Sequence, residues 1–122
     1  MKLKESFNRI YVQDMDEAIK FYEKIFHEKC VNRFQYSEVN LELAHIGNLL
    51  ILSGSKEALK PFENTQATFL VDSITEFREF LLKNGAAVIK DIKEVPSGWN
   101  MTVKHFDGTI VEYVEHKTDF IW

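Results

Sequence analysis

Val12-Gln13-Asp14-Met15-Asp16-Glu17 and Val71-Asp72-Ser73-Ile74-Thr75-Glu76 repeat one pattern at an offset of 59 residues. Each opens on an apolar strand end, passes through a capping residue (Asp14, Ser73) and reaches a Glu three positions on. That is a capping box, in which side chains satisfy the orphan N–H groups of a helix start. An apolar helix face follows each box: Ala18, Phe21, Tyr22 and Ile25 in the first copy, Phe77, Phe80 and Leu81 in the second. The spacing predicts helices over 14–26 and 73–84. The second has a natural stop at Asn84-Gly85, because glycine accepts a positive φ; the first has His27 there.

Each helix is preceded by a strand pattern, over 6–12 and 65–72. Each is followed by three more, over 30–36, 39–46 and 48–53 and over 87–95, 99–106 and 109–115. The last two strands of each copy are joined by tight-turn pairs, Gly47-Asn48 and Asp107-Gly108, at an offset of 60. The fold class is therefore α+β, built from two tandem βαβββ modules in a single domain over 1–122. Module 1 covers about 6–53, a linker with Pro61 covers 54–64, module 2 covers about 65–116 and an apolar tail covers 117–122. The tail residues Phe120, Ile121 and Trp122 are expected to dock on a neighbouring subunit or cover a sheet edge.

The totals narrow the function classes. With 122 residues, 45% hydrophobic and 28% charged, the chain is expected to be globular with one core. No apolar run approaches the roughly 20 residues of a membrane-spanning helix, and the lysine-containing N-terminus does not read as a secretory signal. Cys30 is the only cysteine, which excludes an intrachain disulfide and a four-cysteine zinc site. A cytoplasmic location is the expectation. Cys30 itself reads as a small apolar filler. The net charge of −4 is spread along the chain without a basic stripe, so no nucleic acid and no membrane is expected as partner.

The repeated Val12–Tyr22 stretch, Phe69-Leu70-Val71-Asp72, Gly85-Ala86-Ala87-Val88 and Asp107–Glu112 together resemble the vicinal oxygen chelate superfamily of glyoxalases, bleomycin-resistance proteins and extradiol dioxygenases. The resemblance covers nearly the whole chain. It implies curled mixed sheets around a cleft, and commonly a homodimer. It leaves the reaction open, because this fold hosts several chemistries.

The resemblance also marks four metal-ligand positions, occupied here by Phe7, Leu52, Gln66 and Glu112. Phe7 and Leu52 have no lone pair to donate, and zinc or iron sites need at least three protein ligands. No cofactor is therefore expected; Gln66 and Glu112 alone would hold a divalent metal weakly. A histidine at His105 or His116 is the remaining route to a metal site. His105, just before the turn, is expected to lie at the surface or to support that turn.

Strand alternation assigns the other cleft residues. Ile110, Glu112 and Val114 share one face, while Val111 and Tyr113 share the one expected to pack on helices. Likewise Phe7, Arg9 and Tyr11, and Gln66, Thr68 and Leu70, are assigned to the cleft. Trp99 follows a glycine-containing loop, where it is expected either to close over a flat ligand or to cap the core. Phe34 and Tyr36 are expected in the core or between subunits. A mostly apolar cleft with Arg9, Gln66, Thr68 and Glu112 as polar handles is the usual composition of a ligand pocket. The ligand would be apolar or aromatic with a carboxylate or polar oxygen.

Three functions follow. The first is a metal-independent small-molecule binding protein or sensor of the bleomycin-resistance type with a degenerate metal site. The second is a lyase, isomerase or dioxygenase using Glu112 as catalytic base or carboxylate ligand. The third is a structural dimer with a vestigial cleft, in which Arg9 and Glu112 merely pair.

Overall fold

The structure, a computed structural model, describes residues 1–118. The expectation for Phe120, Ile121 and Trp122 lies outside the described residues. The element order is β1 (Leu3–Val12), α1 (Met15–Phe26), β2 (Asn32–Tyr36), a 3-10 turn (Ser37–Val39), β3 (Leu41–Ile46), β4 (Leu49–Ser53), α2 (Lys56–Leu59), β5 (Ala67–Val71), α3 (Ile74–Lys83), β6 (Ala87–Val95), β7 (Gly98–Lys104) and β8 (Ile110–His116). This is the α+β order βαβββ-βαβββ.

Three details differ from the sequence expectations. β1 starts at Leu3, ahead of the expected residue 6. Its early residues are exposed, so hydrophobic alternation carries no signal for them. The start of β3 moves to Leu41 because Ser37–Val39 wind into a 3-10 turn ending on Asn40, whose φ is 58°. The linker holds a four-residue helix, α2, capped by the Ser55 side chain, which accepts from the Ala58 N–H.

Both capping residues act as the repeat implies. The Asp14 and Ser73 side chains accept from the backbone N–H of Glu17 and Glu76. α3 has a further cap, the Glu115 carboxylate accepting from the Ile74 N–H at 2.8 Å. It ends as expected, with Gly85 at φ 82° and the Ala86 N–H donating to the Leu81 carbonyl. α1 ends on His27 at φ 55°, a left-handed conformation a β-carbon tolerates at a cost.

The chain forms two compact units, Phe7–Asn64 and Met1–Ser6 with the residues from Thr65 onward. In the first, β4 pairs in parallel with β1 and antiparallel with β3, and β2 is the outer strand next to β3. One side of this sheet packs under α1. Ile10, Val12, Ala44, Ile46, Leu49 and Ile51 meet Met15, Ala18, Ile19 and Tyr22 there. In the second, β8 pairs in parallel with β5 and antiparallel with β7, and β7 pairs with β6. Its α3 side buries Val71, Ile74, Met101, Val103, Val111 and Tyr113. In the same unit the Lys2 backbone exchanges hydrogen bonds with Asp72.

Each helix therefore claims one side of a four-stranded sheet. Side-chain alternation then assigns every second strand residue to the other side, where the candidate functional residues stand.

Candidate functional site

In the unit containing β5–β8, the ladder registers place Thr68 opposite Glu112 and Glu112 opposite Thr102. Residues directly opposite share a face. A row Thr68–Glu112–Thr102 thus crosses β5, β8 and β7 on the side away from α3. The next row is Leu70–Val114–Asn100. Glu112 is half-buried and Thr68 wholly buried. The Thr68 hydroxyl donates to one Glu112 carboxylate oxygen at 3.2 Å. A hydrogen bond to one carboxylate oxygen fixes the orientation of the group. Gln66 alternates onto the same side but is exposed, and its backbone N–H is tied to the Ile110 carbonyl.

Trp99 stands on the other side. It packs with the α3 core beside Met101 and Val103, and the Lys117 ammonium lies 5.9 Å from its ring centre. Of the two roles open to Trp99, this placement is the core-capping one.

His105 is held in its turn by backbone bonds from its N–H to the Thr109 carbonyl and from the Gly108 N–H to its own carbonyl. Its ring Nε2 lies 2.7 Å from the Tyr113 hydroxyl. Tyr113 is buried on the α3 side between Phe69 and Phe77, and that burial pushes its phenol up to about 12. His105 therefore serves the core and the turn. His116, at the end of β8, is pushed down to about 4 by burial and by the Lys4 charge, so it is neutral at pH 7.

In the unit Phe7–Asn64, the registers give two rows on the side away from α1: Arg9–Leu50–His45–Asn32 and Tyr11–Leu52–Leu43–Phe34. Phe7 belongs to the same side, its ring centre 5.1 Å from that of His45. Phe7, Leu43, Leu50 and Leu52 are buried there, whereas Phe34 is largely exposed. The Arg9 guanidinium lies 5.6 Å from the Tyr11 ring centre, and its Nε is buried without a hydrogen-bond partner among the described residues. The Tyr11 hydroxyl donates to the Phe62 carbonyl at 2.6 Å. An open depression of about 720 Å³ lies at the end of β1, lined by Tyr11, Val12, Gln13, Leu59 and four charged residues, Lys56, Glu57, Lys60 and Glu63. Nothing in the sequence pattern marked it, since it depends on how α2 folds back on its own unit. Cys30 packs at the edge of the α1 core, with its thiol bonded to the Asn32 carbonyl.

The four marked metal positions split by chemistry. Phe7 and Leu52 are buried hydrocarbon and supply no ligand. Gln66 and Glu112 can donate oxygen, but Glu112 already engages Thr68. Among the described residues no three of His, Cys, Asp or Glu gather as a metal site would require. This donor set does not fit a tightly held zinc or iron ion. No helix among the described residues is long and apolar enough to cross a membrane.

Neither a family model nor a curated protein matches the sequence. Solved structures do. An uncharacterized protein from Methanosarcina mazei is 45% identical over 100% of this chain and 99% of its own, with a TM-score of 0.86. Methylmalonyl-CoA epimerase from Mycobacterium tuberculosis is 15% identical over 94% of this chain and 89% of its own, at TM-score 0.76. A Streptomyces coelicolor methylmalonyl-CoA epimerase in complex with 2-nitronate-propionyl-CoA is 16% identical over 96% of this chain and 100% of its own, also at 0.76. At such identities the epimerases establish the fold alone. The chain belongs to the same family as the Methanosarcina mazei protein, and its α+β fold is the glyoxalase/bleomycin-resistance-like fold of the epimerases.

Proposed function

We propose that the chain is a small-molecule binding protein that takes its ligand on the side of the β5–β8 sheet away from α3, without a metal. The observation that carries this reading is the buried Thr68 hydroxyl holding one oxygen of the half-buried Glu112 carboxylate. A carboxylate with one oxygen fixed has its other oxygen oriented to accept a donor group, such as a hydroxyl or amide. Leu70 and Val114 in the adjoining row supply apolar contact. Mixed apolar walls with a few placed polar groups are what ligand pockets offer.

The test is a thermal-shift screen of small hydroxyl- and amide-bearing compounds on the wild-type chain and on Glu112→Gln. A ligand that binds the native state raises its stability by RT ln(1 + [L]/Kd). Wild type is expected to respond, and Glu112→Gln to lose the response with little change in its own melting temperature. A variant that melts differently while wild type responds to nothing would leave Glu112 as a structural residue.

The epimerase neighbours favour a second reading, in which Glu112 removes a proton next to a carbonyl. Incubation with methylmalonyl-CoA in D₂O separates the two. Deuterium uptake that Glu112→Gln abolishes would support proton transfer, and binding without uptake would support the first reading.

A further inference from the structure

The depression at the end of β1 is lined entirely from the unit Phe7–Asn64. Its open volume of about 720 Å³ falls within the roughly 300–1,000 Å³ of ligand pockets. Two hydrogen bonds hold its walls together. The Tyr11 hydroxyl donates to the Phe62 carbonyl at 2.6 Å, and the Gly54 N–H donates to the Val12 carbonyl at 3.3 Å. They bracket α2 and the turn after it against the end of β1. The Lys60 N–H donates to the Lys56 carbonyl and the Glu63 N–H to the Leu59 carbonyl, so helical winding runs on from α2 to Glu63. Lys56, Lys60 and Glu63 therefore succeed one another along one helical face, and all three line the depression, as does Glu57.

The charges on this wall do not answer one another. Lys56 and Lys60 are a like-charge pair at i,i+4, which weakens a helix, and a helix of four residues is marginal to begin with. Glu57 and Glu63 stand three positions to either side of Lys60, the spacing at which helical ion pairs form. Yet among the described residues none of these four side chains joins an ion pair or a hydrogen bond. All four are exposed, so water solvates them in the free protein and a ligand can displace it. From Lys56 to Glu63 the winding rises about 10 Å, at about 1.5 Å per residue. An extended di- or tripeptide spans about 7–10 Å.

We propose that this depression is a binding site for a short peptide with free ends, its carboxylate held by Lys56 and Lys60 and its ammonium by Glu63. The Gln13 amide, on the opposite wall, can both donate to and accept from a peptide group. The site is separate from the one proposed at Glu112 and does not depend on it.

The experiment uses the full chain. Probes are dialanine, trialanine and alanyl-phenylalanine with free ends, each against its N-acetyl form and its C-terminal amide. Amide NMR titrations read both affinity and location. Free-ended peptides are expected to bind saturably and to shift the amides of Gln13 and of residues 56–63. Blocking either end should weaken binding roughly tenfold, because it removes a charge-assisted hydrogen bond. The double variant Lys56→Gln/Lys60→Gln and the single variant Glu63→Gln should each weaken it roughly three- to tenfold, solvent screening being strong at exposed positions. Both variants alter exposed side chains only and are expected to melt near the wild-type temperature. Glu112→Gln should bind these peptides as wild type does.

Absence of saturable shifts with every free-ended peptide would overturn the proposal. Equal affinity for free-ended and blocked peptides would overturn it too, as would saturable shifts confined to residues outside 11–13 and 56–63. The reading of Glu112 stands or falls separately, on its own thermal-shift screen.

Discussion

Acidification should destabilise this protein in a window set by His116. Burial and the neighbouring Lys4 charge hold the imidazole at about 4 in the native state, against an ordinary 6.5. The unfolded chain therefore takes up the proton first. The native state is at full advantage above 6.5, loses stability as the pH falls through the window, and has lost all of this contribution below 4. Proton linkage over that interval gives a loss of about 2 kcal/mol between pH 8 and pH 5. The ring is only half-buried, and screening by solvent reduces this to about 1 kcal/mol. A domain of this size then melts about 4 °C lower at pH 5. Asp72, Asp91 and Asp107 are held below the ordinary 3.8 by their hydrogen bonds, so their contribution is lost only at still lower pH. The assay is urea unfolding at half-unit steps from pH 4.5 to 8 on wild type and His116→Gln. The variant should be flatter across the window by the stated amount. Parallel curves for the two proteins, or a wild type that gains stability on acidification, would refute the reasoning.

Gly98→Ala should be among the most damaging single changes. A β-carbon at Gly98 would run into the backbone carbonyl of Glu115 on the adjacent strand, which cannot swing aside as a side chain can. A loss of about 3 kcal/mol or more is expected, with poor soluble yield as the first sign; a variant within 1 kcal/mol of wild type would show that β7 and β8 are further apart. Ile51→Ala, at a wholly buried position under α1, should cost about 3 kcal/mol in urea unfolding through the cavity it leaves. A cost under 1 kcal/mol there would mean that α1 does not pack on β4 as described.

The order of the eight strands and the two long helices was legible in the sequence, because the signals involved are local, whereas the short α2 and the 3-10 turn at Ser37–Val39 were not. A capping box needs residues three positions apart, and the Asp107-Gly108 turn needs two adjacent ones. Both capping side chains make the bonds their spacing implies. Period-two alternation also put Val111 and Tyr113 under α3 and left Glu112 on the other side. Phe7 and Leu52 at metal-ligand positions were equally legible, since a hydrocarbon side chain has no lone pair wherever it lies.

Tertiary structure alone decided which residues on a face touch. The bond from Thr68 to Glu112 spans 44 residues and follows from the β5–β8 register, which no local pattern encodes. Trp99 looked equally suited to a ligand and to the core, and it took β7 pairing with β6 and β8 to put it beside Met101 and Val103. The surroundings of Arg9 likewise depend on pairing, which sets Leu50 of β4 directly opposite it. Local chemistry fixes where the chain bends and which side of a strand a residue takes. Pairing between distant strands fixes its neighbours, and the charge state and reach of a functional group depend on those neighbours.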